Sequence, residues 1–563
     1  MDGAERGQQG SEARGRGIAA LVLLIFVLLQ LGSLGHPLFW QDEGETAMFG
    51  QRILEYGYPK VHADGNVVYG IGVPLALAVD EDRDAYRGSF WGQYYLAALG
   101  VWLAGDLEDL YAHTRWVRLP FALVGLLGLA LLFLSVRPLL ASRRGSAAVA
   151  AAIFAGLLCL STSLILHLRE VRYYAPALAL LAALVWLEMR RPPGREMGGP
   201  GRSLAAGLGL VVLFNFFHPA AFAAAGWLSL EWLIWARRSG GGIGRRMRRA
   251  WALGLALFAF AGVALGLAQV FEVAGYSRVL AERWSLGPGL YAENLLALVH
   301  YLLRYEFLAP LAAAEVALFL GRRARQEGDV GLLRARASLL RLALIYGLVG
   351  AANPIFFERY FVPVGPLLAL VLVLDLELLW RGLVLTSRPD RRPGRTFAVV
   401  CGLVLILLVT LRAGELRGRV MEIARPVRGP VDVAIEFIRA NHPAPESLLI
   451  ATNYEAEPFM YYLGSRVVGR FHGGTLARDA AEAAERPDLV IPRSAQPKTL
   501  RAVRRYLLGG SFERHELPVA DVAYNNIPEL SRGRVLSTTH RFETPEPGRD
   551  GPPLIIYERQ PAP

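Results

Sequence analysis

The chain has 563 residues, 53% of them hydrophobic and 19% charged, with a mean hydropathy of +0.33. That balance belongs to membrane proteins and not to soluble enzymes. The net charge of +11 is carried almost wholly by arginine, in short clusters between apolar runs and not on one basic face, which argues against a nucleic-acid partner.

In chain order, residues 1–17 are polar and expected to be a disordered cytoplasmic N-terminus. Residues 18–35, IAALVLLIFVLLQLGSLG, are uncharged and long enough to span a bilayer. No small-residue cleavage site follows them, so they read as a retained first helix and not as a signal peptide. Further apolar segments fall near 91–105, 117–137, 146–166, 173–189, 204–217, 219–236, 250–271, 306–320, 340–352, 356–380 and 395–412. Arginine-rich connectors lie at 137–144, 190–202, 237–249, 321–341 and 381–395, and the positive-inside rule assigns them to the cytoplasm. Segment 91–105, with Tyr94, Tyr95 and Trp102, reads as re-entrant or interfacial. The expected architecture is thus a polytopic α-helical membrane protein of about 11 to 13 transmembrane helices, the upper figure applying if 91–105 and 291–304 both span. The loops at 38–90, 166–173, 215–219, 272–305 and 353–359, and everything after 412, then face away from the cytoplasm. Cys159 and Cys401 both lie inside apolar runs, which leaves no disulfide framework or zinc site.

After residue 412 the pattern changes to strand-length apolar stretches, 447–453, 488–493 and 553–559, alternating with helical patterns at 431–441 and 498–510. A C-terminal extracytoplasmic α/β domain over 413–563 fits this, with a Pro/Gly linker near 425–430.

Four polar clusters fall in the outer loops. In DEGETAMFGQRILEYGYP, Asp42 and Glu45 have the spacing of a capping box, apolar positions follow at helical intervals, and Gly57 with Pro59 ends the helix. Capping needs only one or two acids, whereas Asp42, Glu43 and Glu45 crowd the mouth of a span, where negative charge calls for a cation, a metal or a substrate. On the residues alone, structure and chemistry are equally good readings. In HLREVRYY, residues 167–174, Arg169 and Arg172 stand three apart, as a paired phosphate site on one helix face would need; snorkelling side chains, or an arginine pairing with Glu170, is the alternative. FNFFHP places Asn215 and His218 at a hairpin tip, where a hydrogen-bonded turn histidine is the plainer reading. NPIFFERYFVPVGP carries Arg359, available to an anion or to Glu358.

The order of apolar span, DEGETA, TRWVRLPFALVGLLGLALL, LREVRYYA, HP, ERYFVPVGPLLAL and soluble tail resembles the bacterial branch of family 39 glycosyltransferases. These are GT-C membrane enzymes akin to protein mannosyltransferases and the aminoarabinose transferase of lipid A. The resemblance covers roughly 18–412 and rests most on Asp42-Glu43, Arg118-Leu119-Pro120 and Arg359-Tyr360. It implies sugar transfer from a polyprenyl-phosphate donor to an extracytoplasmic lipid, glycan or protein acceptor, by inverting displacement, in the inner or plasma membrane. By similarity Asp42 deprotonates or orients the acceptor hydroxyl, and Glu43 supports it or helps hold a divalent metal. Arg169, Arg172 and Arg359 neutralise the donor phosphate, with Glu170, Tyr174, His218 and Tyr360 in support. The chain departs from the pattern in the outer turn. Where relatives often carry an aspartate it reads Arg172-Tyr173-Tyr174, so the second acid is absent or is Glu170, and metal dependence and acceptor class stay open.

The rival readings are a transporter or lipid flippase working through the mid-span acids Glu315 and Asp375, and a non-catalytic envelope assembly protein. No matched pair of broken helices supports the first. The second leaves the acids of the first outer loop without a task.

Overall fold

A computed structural model describes residues 2–69, 75–140, 146–190, 200–238, 243–284, 287–320, 330–353, 356–386, 412–469, 486–494, 506–522 and 542–561, with 410, 500, 503 and 504. Helices dominate up to residue 386. The first, Asp2–Leu31, includes the polar residues for which disorder was expected. Leu110–Leu140 and Trp251–Val270 are each long and apolar enough to cross a membrane unaided. Shorter apolar helices run Arg16–Leu31, Ala147–Cys159, Tyr174–Met189 and Pro200–Phe216. Pro288–Arg304 and Leu308–Val316 form a pair bent by 80°, so the 291–304 segment does not continue straight into its neighbour. Segment 91–105 is the helix Gly92–Ala104, about 20 Å long and too short to span. The apolar segment 395–409, Cys401 and much of the basic connectors lie outside the described residues.

Several long helices carry charges, and the bundle pairs those charges internally, as a low-dielectric interior requires. Arg341 on Val330–Ala351 reaches Glu231 on His218–Arg238 at 2.5 Å. Arg336 pairs with both Glu315 and Asp375, the two acids on which a transport reading would rest. Arg381 pairs with Glu377 at 2.8 Å within Val364–Thr386.

Small residues set how closely the helices around the first outer loop approach. A Cβ on Gly50 of the Gln41–Tyr56 helix would lie 2.8 Å from the Ala98 nitrogen, and one on Gly100 would lie 2.5 Å from the Val117 carbonyl. Backbone-to-backbone packing of this kind drives association where water-driven burial is weak.

The tail contains one five-stranded sheet, in the order Arg466–Gly469, Leu449–Thr452, Leu489–Ile491, Pro553–Arg559, Phe512–Ala520. The first three strands are parallel and the last two are antiparallel to their neighbours. Three of the five strands and the helix Pro430–Asn441 match the apolar patterns read from the sequence. The pattern at 498–510 lies partly outside the described residues. The helix over 412–424 precedes the sheet and lies against the end of the first helix. The tail shares its core with residues 38–94: Leu38, Phe49, Tyr86 and Tyr94 pack in one buried cluster with Val431, Ile435, Phe459, Ile491 and Ile556.

Candidate active site

The Gln41–Tyr56 helix begins immediately after Trp40, which makes no side-chain cap, and ends at Gly57, whose φ of 83° is the left-handed conformation glycine adopts without strain. The capping box expected of Asp42 and Glu45 does not form. Both acids lie inside the first turns, and their carboxylates are turned to other partners.

Asp42 faces two arginines. Its Oδ2 lies 3.3 Å from Arg172 Nη2 and 3.6 Å from Arg359 Nη2, and its side chain is 23% exposed, against 12% and 6% for the two arginines. Arg172 also donates to the Asp42 carbonyl and to Thr46 Oγ1, at 3.3 and 3.2 Å. Aromatic rings hold both guanidinium groups. Arg172 lies 5.2 Å from the Tyr173 ring centre, and Arg359 lies 4.2 Å from that of Phe357 and 5.0 Å from that of Trp40. Burial acts to lower the Arg172 pKa, but Asp42 and neighbouring groups outweigh it and raise it well above the usual arginine value. Asp42, partly open, thus faces two buried guanidinium groups.

Glu43 is placed quite differently. Its side chain is 1% exposed and accepts from Arg118 Nε and Nη2 at 2.9 and 2.5 Å, a forked pairing, and from the Val171 N–H at 2.9 Å. Arg118 meanwhile donates to the carbonyls of Leu34 and Pro37 at 3.0 and 2.7 Å. The pair thus locks three segments together: the approach to the Gln41–Tyr56 helix, the Leu110–Leu140 helix and the outer turn. With Glu43 saturated by N–H donors and Asp42 faced by two cations, the two acids do not offer a ligand set to a divalent metal. Among the described residues no group of three or more His, Cys, Asp or Glu side chains gathers to hold one.

The outer turn is irregular between His167 and Tyr174, so Arg169 and Arg172 share no helix face. Arg172 turns to Asp42, whereas Arg169 turns to Glu422 at 3.1 Å, to the Gly32 carbonyl and to Ser33. Burial, followed by the nearby Arg419, lowers the Arg169 pKa to about 9 against the pull of Glu422. Arg419 completes this knot by donating to the Leu29 and Gly32 carbonyls that end the first helix, at 2.7 Å each, and to Glu422. Glu170 pairs with His167 at 2.8 Å and with neither arginine.

The remaining expected residues belong to an aromatic wall that adjoins Arg172 through Tyr173. Tyr173 stacks on Phe217 at 4.7 Å, and Tyr360 lies 5.5 Å from Phe217 and 6.2 Å from Tyr173. Tyr174 packs on Tyr173 and His167. His218 sits among Phe90, Phe214, Phe217 and Phe222 in a nest of rings. Asp42, Arg172 and Arg359 are therefore brought together, with Tyr360 one ring away from Arg172 through Tyr173, and Arg169 is not among them. Arg118 carries a signal in the sequence as well: a charge within an apolar span must have a partner.

No protein-family model matches the sequence, and no curated protein matches it. Solved structures do. The chain is similar to ArnT from Cupriavidus metallidurans bound to undecaprenyl phosphate, at 15% identity and a TM-score of 0.51 over 97% of this chain and 98% of that one. The apo state of the same protein gives 14% and 0.51. The archaeal oligosaccharyltransferase AglB from Archaeoglobus fulgidus, in complex with an inhibitory peptide and a dolichol-phosphate, gives 13% and 0.50 over 88% of this chain and 73% of that one. The chain shares the fold of these two proteins.

Proposed function

We propose that the protein transfers a hexosyl or pentosyl group from a polyprenyl-phosphate donor to an extracytoplasmic lipid, glycan or protein acceptor, in the inner or plasma membrane with its N-terminus in the cytoplasm. The observation that carries this reading is Asp42 held between Arg172 and Arg359. Residues 18–412 would form the transferase domain and 413–563 the extracytoplasmic domain. The solved structures of like fold hold undecaprenyl phosphate in one case and a dolichol-phosphate in the other, which supports an isoprenoid phosphate as the ligand.

In the resting protein Asp42 occupies the arginines. A donor phosphate brings its own negative charge to them, and sharing Arg172 and Arg359 with it leaves Asp42 able to accept a proton. The acceptor oxygen then attacks the anomeric carbon from the face opposite the phosphate, with inversion. The carbon–oxygen bond to phosphate breaks as the new one forms, the acceptor proton passes to Asp42, and the two guanidinium groups stabilise the departing lipid phosphate. Glu43 and Arg118 hold the geometry in which this occurs, and the aromatic wall of Tyr173, Phe217 and Tyr360 offers a face to the sugar.

The test is transfer of radiolabelled sugar from polyprenyl phosphate in membranes containing the protein. Label should reach an acceptor from the lipid-linked donor and not from a free nucleotide sugar. Absence of transfer from any polyprenyl-phosphate sugar, with the folded protein present, would overturn the reading.

A further inference from the structure

Three of the four residues before Asp42 and the glycine two after it are held by the tail. The Leu38 N–H donates to Asp432 Oδ1 at 2.9 Å, and the Phe39 N–H donates to the Tyr462 hydroxyl at 3.2 Å. Tyr462 is itself fixed by Thr114 Oγ1 at 2.6 Å. Gln41 Nε2 donates to the buried Glu457 carboxylate. A Cβ on Gly44 would lie 2.8 Å from Pro458 Cδ, so the Ala456–Leu463 helix rests directly on the Gln41–Tyr56 helix. The start of that tail helix is pinned in turn: Glu455, at a φ of 56°, pairs with the buried Arg493, which also holds Asp521 at 2.8 Å. Charges buried in this way are retained only if each is answered, and here they tie the helix to the ends of the parallel strands. Gln41 directly precedes the residue that faces the arginines.

We infer that the C-terminal domain is part of the catalytic unit, with Glu457 acting through Gln41 as a positioning residue for the Asp42 carboxylate. The inference rests on the reading of Asp42 as the base. A displacement of about 1 Å at a reacting group is enough to lower a rate about a hundredfold, and a shift of the start of this helix carries Asp42 with it. Tail and transfer are therefore coupled mechanically: whatever loosens Ala456–Leu463 loosens the base, while Arg172 and Arg359 are carried on other segments of the chain.

The test is a charge-swap cycle in the full-length protein, with Asp42→Asn alongside. Gln41→Glu sets two carboxylates face to face and should lower kcat at least tenfold, with KM for the lipid-linked donor within about twofold of wild type. Gln41→Glu combined with Glu457→Gln exchanges donor and acceptor across the same bond and should recover most of kcat. A substitution at a distant part of the same interface serves as control. Asn66→Ala removes bonds to Ser465 and Val467 and should lower the melting temperature without the selective loss of kcat. If Asp42→Asn is inactive while Gln41→Glu keeps wild-type kcat, or if the swap fails to recover it in a folded protein, the positioning role is wrong and the base assignment stands. If Asp42→Asn transfers like wild type, the assignment beneath it is wrong.

Discussion

Glu43 and Arg118 form a forked, fully buried ion pair, 75 positions apart in sequence, and through it the acid beside the candidate base is committed to structure. Removing either partner strands the other charge in the bundle, where an uncompensated buried ion costs about 3–5 kcal/mol. Glu43→Ala and Arg118→Ala should both lower the melting temperature of the purified protein sharply. A variant of either kind with wild-type thermal stability would show that the pair does not hold the site together.

Arg172 and Arg359 should behave differently from Arg169, although all three were expected to bind phosphate. Arg172→Ala and Arg359→Ala remove cations facing Asp42, and each should raise KM for the lipid-linked donor by about 10- to 100-fold with folding retained. Arg169→Ala breaks a buried pair with Glu422 and should appear as lost stability, with donor KM in the surviving protein close to wild type. Binding of the lipid phosphate to each purified variant separates the two outcomes.

His36, in the loop before the Gln41–Tyr56 helix, stacks on Tyr111 with ring centres 3.8 Å apart. Burial, then Arg118 and Arg115, lowers its pKa to about 4. An unfolded chain takes up this proton near the ordinary histidine pKa of about 6.5, so the folded state binds fewer protons between pH 6.5 and 4. The contribution of His36 is thus fully present above pH 6.5 and is lost as pH falls toward 4. Melting temperature measured across this window should fall less steeply for His36→Gln than for wild type; parallel curves would mean that His36 does not titrate as its surroundings dictate.

The sequence pattern carried the helical bundle, the sheet-bearing tail and the convergence of Asp42, Arg172 and Arg359, because hydropathy and arginine placement are themselves the physics of topology. It could not decide which of Asp42 and Glu43 faces the site. That depends on Arg118 reaching Glu43 from another helix, and on the Val171 N–H. Arg169 stands apart from Asp42 for a similar reason: the turn is not helical, and its partner Glu422 lies 253 positions away. Capping by Asp42 had the right spacing but the wrong start, since the helix begins two residues earlier, after Trp40. The docking of the tail on residues 38–44 left no local signal at all, being complementarity between surfaces some 400 residues apart.

The central claim is that Asp42 takes the acceptor proton, and a single-turnover transfer assay with Asp42→Asn tests it most directly. Asparagine keeps the size of the side chain but accepts no proton at neutral pH. With donor binding and melting temperature retained, the rate of sugar transfer should fall by about 100- to 10,000-fold, the range attributed to a lost general base. Transfer by Asp42→Asn at the wild-type rate would contradict the account.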